Sequence, residues 1–189
     1  MMTTRAVIGV TMTVVALAIA ARRLVWLLRL IRTGQPSPGR LDGVGTFVRS
    51  QIVEVFGQRK LLQWTVPGLA HFFTFWGFVI LGATILEAYG ALFVRDFAIP
   101  LIGRSPVLGF LEDLFAVAVL VAIATFAVLR IRQAPERQHR ASRFYGSHTG
   151  GAWLILASIA TIVITLFVSR GAQINTGTFP FESGAFVSE

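Results

Sequence analysis

The stretch VPGLAHFFTFWGFVILGATILEAYGALFV, residues 66–94, runs for 29 positions with a single charged residue, Glu87. About 20 apolar residues already cross the hydrocarbon core of a bilayer, so this segment reads as a transmembrane helix. Pro67 is tolerated in its first turn because the missing N–H has no helical partner there. His71 lies about 7 Å past Val66 at a rise of about 1.5 Å per residue, a level at which the ring would be shielded from water. An ionisable side chain inside a membrane span is costly without a partner or a task, and imidazole is the common protein ligand of haem iron. Phe72, Phe73, Phe75, Trp76 and Phe78 would add an aromatic wall. A hydrogen bond from His71 to a neighbouring helix is the structural alternative.

Working outward, three further apolar runs appear: Ala6–Ala21, Val107–Leu129 and Gly150–Ser169. Hydrophobic residues make up 54% of the chain and charged ones 14%, and no polar stretch is long enough for a soluble domain. The fold class is therefore an all-α membrane protein, read as one membrane domain over 1–189. Its transmembrane helices are expected at about 4–24, 66–94, 107–129 and 150–169. The first run has 16 uncharged residues, short of a full span, and snorkelling of Arg22 and Arg23 extends it. Ala18-Ile19-Ala20 resembles a signal-peptidase site, but Arg22, Arg23, Arg29 and Arg32 follow and resist translocation, so an uncleaved anchor is expected.

The basic residues set the sidedness. Arg22 to Lys60 holds eight Lys/Arg and Arg130 to Arg143 holds five, against four (Arg5, Arg95, Arg104, Arg170) on the opposite side. By the positive-inside rule, 22–65 and 130–149 are cytoplasmic, and both termini, with the tail 170–189, lie outside. These loops account for the net charge of +8. Nucleic-acid binding needs a soluble basic face with interleaved aromatics, which is absent. TGQPSPGRLDGVG (33–45) is a turn-rich linker. Beyond it, 46–62 places Phe47, Val48, Ile52, Val55 and Phe56 at helical spacing with Arg49, Gln51, Arg59 and Lys60 between, the pattern of an amphipathic helix in the inner interface. Gly68, Gly77 and Gly82 allow close approach of a neighbouring helix or of a flat macrocycle. No cysteine is present, which excludes disulfides, a CxxCH haem attachment and Fe–S clusters held by this chain.

His148, in GSHTGGAW, lies on the same side as His71 and is the candidate second axial ligand within the chain. Measured from Trp64 and Trp153 the two imidazoles differ in depth by about 18 Å, and from Lys60 and Arg143 by about 9 Å, which opposes pairing. His148 otherwise reads as an interfacial residue at a helix start. His139 reads as a solvated loop residue. Glu87, Glu112 and Asp113 form an acidic set at the outer side. Proton relay to a quinone is one reading; pairing with the nearby loop residues Arg95 and Arg104 is the preferred one.

The block GQRKLLQWTVPGLAHFFTFWGFVILGATILEAYG (57–90), followed by the basic loop and GSHTGGAW (146–153), resembles the amino-terminal membrane domain of heterodisulfide reductase-related (Fe-S)-binding proteins. That domain is similar to the cytochrome b-type gamma subunit of nitrate reductases and to the membrane part of electron-transfer-flavoprotein:quinone oxidoreductase-like reductases. The resemblance implies a bacterial inner (plasma) membrane, non-covalent haem b, and electron transfer between cytoplasmic iron–sulfur or flavin partners and menaquinone or another quinone. It makes His71 the haem-iron ligand of the second helix. Members of the family carry a further histidine-bearing helix and cysteine-rich cluster domains, neither of which is in this sequence. The chain is accordingly expected to be incomplete relative to a larger bundle, a domain or subunit of a quinone-linked oxidoreductase with no catalytic residue of its own. The residues alone also fit a non-redox membrane anchor that docks a cytoplasmic protein on its basic loops.

Overall fold

A computed structural model describes residues 2–35, 43–94, 97–133, 149–177, 179–181 and 185–187. Among them the chain is helical, with no strand. Four helices are long and apolar enough to cross a membrane: Thr4–Arg32, Thr65–Ala91, Pro106–Arg132 and Gly150–Thr176. The protein is an all-α membrane protein. The chain divides into two compact units, Met1–Gly57 with Ala88–Phe97, and Gln58–Glu87 with Ala98–Glu189.

In the first unit, α1 (Met2–Arg32) is one continuous helix of 31 residues, eight residues beyond the expected end near 24. Arginine propagates a helix as well as leucine does, so Arg22 and Arg23 end the apolar run without ending the helix. It stops where Thr33 N–H and Gly34 N–H bond back to the carbonyls of Arg29 and Ile31, before the Pro36 linker. Its apolar side chains, Val7, Ile8, Leu17 and Ile19 among them, are exposed, as expected of a helix that is apolar all round and solvated by lipid. Thr13 Oγ1 donates to Gly9 O at 2.8 Å and lies 2.7 Å from the Tyr89 hydroxyl.

The amphipathic segment expected as one helix over 46–62 is broken. α2 (Val44–Ser50) passes into a π-helical turn over Gln51–Phe56, closed by Gly57 N–H to Ile52 O at 2.9 Å. A Cβ on Gly57 would lie 2.6 Å from Val53 O, so only glycine fits as the wider turn ends.

The second unit begins at Gln58, which is left-handed at φ 50°, ψ 30°, and leads into the single turn α3 (Arg59–Leu62). α4 (Thr65–Ala91), α5 (Pro106–Arg132) and α6 (Thr149–Thr176) follow. Pro106 sits in the first turn of α5, where proline fits. The buried positions of α5 are Gly109, Glu112, Asp113, Ala116, Val119, Ala122 and Ile123, a stripe at helical period. Ala116, Val119 and Ile123 meet Val163 of α6, with Leu81, Leu120, Leu156, Ile159 and Phe167 around them. Gly77 of α4 lets Val119 pack directly onto its backbone, the close approach that small residues permit where lipid supplies no hydrophobic drive. Phe73 continues the contact to Phe115, centroids 6.1 Å apart.

Candidate functional site

His71 is on the second turn of α4, with its ring exposed at the surface of its unit. Its Nδ1 lies 3.2 Å from Gln58 Oε1. Thirteen residues separate the two, and the backbone reversal at Gly57–Gln58 brings them together. Beyond the reversal the chain returns along the start of α4. Leu62 N–H bonds to Gln58 O at 3.0 Å, and the Leu61 carbonyl lies where a Cβ on Gly68 would be. Gln58 is 4% exposed. A primary amide at such burial needs a hydrogen-bond partner, and His71 supplies one. No partner is present for His71 Nε2 among the described residues.

The hydrogen bond sets the His71 ring beside the turn that leads into α3. The ring is level with Gln58, whose next neighbours in the chain are Arg59 and Lys60.

The aromatic residues expected to form one wall point in different directions. Phe73 turns to α5, and Phe75 stands edge-on to Trp76 with centroids 5.8 Å apart. Phe75 and Phe78, four and seven residues beyond His71, share its face by helical spacing, and Phe78 is 75% exposed. A Cβ on Gly82, one turn further, would meet nothing within 4 Å. The face of α4 that carries His71 is thus an open apolar strip.

These residues fit one axial bond to a haem. The donor set is an imidazole with Nδ1 already engaged, Nε2 free to bond iron, and an apolar surface beside it. His148 and His139 lie outside the described residues, so the second axial position has no described ligand. Among the described residues no group of three or more His, Asp or Glu side chains is placed to hold a metal ion.

A second polar constellation occupies the opposite end of the helices. Glu112 is 2% exposed and Arg170 5% exposed, and they form a buried ion pair between α5 and α6. Glu112 Oε1 and Arg170 Nη1 have no hydrogen-bond partner among the described residues. The Arg170 guanidinium lies 4.8 Å from the Phe181 ring centroid and 5.7 Å from that of Phe179, within cation–π range. Asp113 Oδ2 accepts the backbone N–H groups of Phe186 and Val187 at 2.9 and 2.8 Å. Phe181 packs on Gly109, where a Cβ would come within 3.0 Å of its ring. The segment after α6 thus folds back onto α5. Glu87 Oε1 accepts Ile99 N–H at 3.2 Å.

All three acidic residues expected to be structural have structural partners among the described residues, and that of Glu112 is not the expected one. The partner of Glu112 is Arg170, 58 residues away, rather than Arg104 in the adjoining loop; Arg95 lies outside the described residues. A helix–helix pair is favoured because α5 and α6 bury both groups together, which a loop arginine at the surface cannot match. Gln58 and Arg170 are the two residues that sequence reading did not place. GQRK does fall in the block 57–90, but no helical spacing links Gln58 to His71. Comparison of the chain with protein-family models, with curated proteins and with solved structures finds no match.

Proposed function

We propose that this chain is a membrane electron-transfer domain in which His71 supplies an axial ligand to haem b, passing electrons between cytoplasmic iron–sulfur or flavin partners and membrane quinone. One observation carries the reading. An imidazole stands on the open face of a candidate membrane helix with Nδ1 held by Gln58 and Nε2 without a partner among the described residues, and lipid tails offer that nitrogen no hydrogen bond. A side chain so placed implies a ligand or a partner, and the resemblance of 57–90 to cytochrome b-type membrane domains names haem as that ligand. Bound haem supplies one-electron redox chemistry. The chain's own part is to present His71 on α4, to fix its ring through Gln58, and to offer the apolar strip of Phe75, Phe78 and Gly82 beside it.

The test is a reduced-minus-oxidised spectrum of the full chain, produced in membranes with haem supplied and purified with any co-purifying subunits. A b-type spectrum that His71→Ala abolishes, with helicity and elution unchanged, is the expected result. A folded chain without haem, or a spectrum unaffected by His71→Ala, overturns the reading and leaves a membrane anchor whose basic loops dock a cytoplasmic protein.

A further inference from the structure

We infer that Gln58 is the positioning residue for His71: its side-chain carbonyl accepts the hydrogen bond from Nδ1–H, fixes the tautomer that leaves the Nε2 lone pair free, and sets how strongly the imidazole donates to iron. The inference rests on the reading of His71 as a haem ligand.

The chemistry turns on which way the proton runs. A neutral imidazole carries one N–H. With the proton on Nδ1 donated to Gln58 Oε1, 3.2 Å away, the lone pair is on Nε2 and free to bond iron. With the amide reversed, its NH2 would donate to Nδ1, the proton would sit on Nε2, and the ring could not ligate through its exposed nitrogen. A histidine ligand that donates its other N–H to a carbonyl has its ring orientation fixed and its basicity raised. The Gln58–His71 pair has the geometry of that arrangement.

The backbone supports the same assignment. Left-handed φ is disfavoured for any residue with a Cβ, and glycine is the residue that adopts it freely. Here Gly57 keeps an ordinary φ of −76°, while Gln58 beside it takes φ 50°. The strained conformation falls on the residue whose side chain reaches His71, and that side chain is 4% exposed. Gly57 is already committed to closing the π-helical turn against Val53 O. Gly68 in turn lets Leu61 lie against α4, which brings Gln58 level with the ring. The left-handed turn at Gln58 and the close approach at Gly68 thus bring one buried amide to the His71 ring.

The test uses three substitutions in the full chain. Gln58→Glu replaces the carbonyl with a stronger acceptor, so the imidazole donates more, the ferric state is favoured and the haem midpoint potential falls. Gln58→Leu removes the acceptor and the midpoint rises. Gln58→Gly also removes the acceptor but suits φ 50°, so it keeps the fold and should follow Gln58→Leu. All three should retain the b-type spectrum. A midpoint that does not move in any of them, with haem still bound through His71, overturns the role of Gln58 and leaves His71 ligation standing. A second readout needs no haem. In the 15N-histidine-labelled, haem-free chain, the His71 shifts should report the Nδ1–H tautomer, lost in Gln58→Leu and Gln58→Gly. An Nε2–H tautomer in the parent chain overturns the inference whatever the fate of the haem reading.

Discussion

At the scale of single residues, the most consequential polar contact outside the His71 site is Glu112 with Arg170. Removing one partner of a buried pair strands a charge in apolar surroundings, so Arg170→Met should cost about 3–5 kcal/mol. The double substitution Glu112→Leu with Arg170→Met should recover most of that loss, since apolar residues of similar volume often replace a buried pair at little cost. A double-mutant cycle on unfolding in detergent measures the coupling. A cost below about 1 kcal/mol for Arg170→Met, the range of solvent-exposed pairs, would show that the pair is not sequestered. His71 was legible in the sequence because one imidazole in 29 nearly uncharged positions stands out whatever the fold. Gln58 and Arg170 were not. Their partners are 13 and 58 residues distant, and only the backbone reversal and the antiparallel course of α5 and α6 bring them within reach.

At the scale of elements, packing in the second unit depends on which glycine faces which neighbour. Val119 occupies the space over Gly77, and valine is stiff about χ1, so Gly77→Ala must push α4 and α5 apart at a cost of about 1–3 kcal/mol. Adding Val119→Ala should restore part of the loss. Gly82→Ala meets nothing within 4 Å and gains the better helix propensity of alanine, by about 1 kcal/mol at most. Thermal midpoints in one detergent distinguish the two glycines; equal responses would remove the packing distinction. The existence and order of the four spans were readable from apolar runs alone, because about 20 apolar residues have few other uses. Their ends were less so. Arg22 and Arg23 mark where the apolar run ends, not where helical hydrogen bonding stops. The break of 46–62 was hidden for a related reason. Its apolar spacing is that of a continuous helix, while the π-helical turn and left-handed Gln58 are set by the close approaches at Gly57 and Gly68.

For the whole molecule, the distribution of basic residues gives a sidedness that labelling tests directly. With no native cysteine, single cysteines at Ser37 and Ser142 should react only with reagent admitted to the cytoplasmic side, as the thirteen-to-four bias of Lys/Arg predicts. Modification of both by an impermeant external reagent in intact cells would invert the orientation. The sequence carries this information plainly because orientation follows charge counts in short loops and needs no tertiary structure. The fold adds something counts do not contain. Across an energised membrane, a lone elementary charge moved through the full field is worth about 2.3 kcal/mol per 100 mV. Glu112 and Arg170, held together between α5 and α6, sum to zero, so the voltage exerts no net pull on the pair. Loss of either partner would leave a monopole in the field. A change of one side chain would then add a voltage-sensitive charge between α5 and α6, which the intact pair withholds.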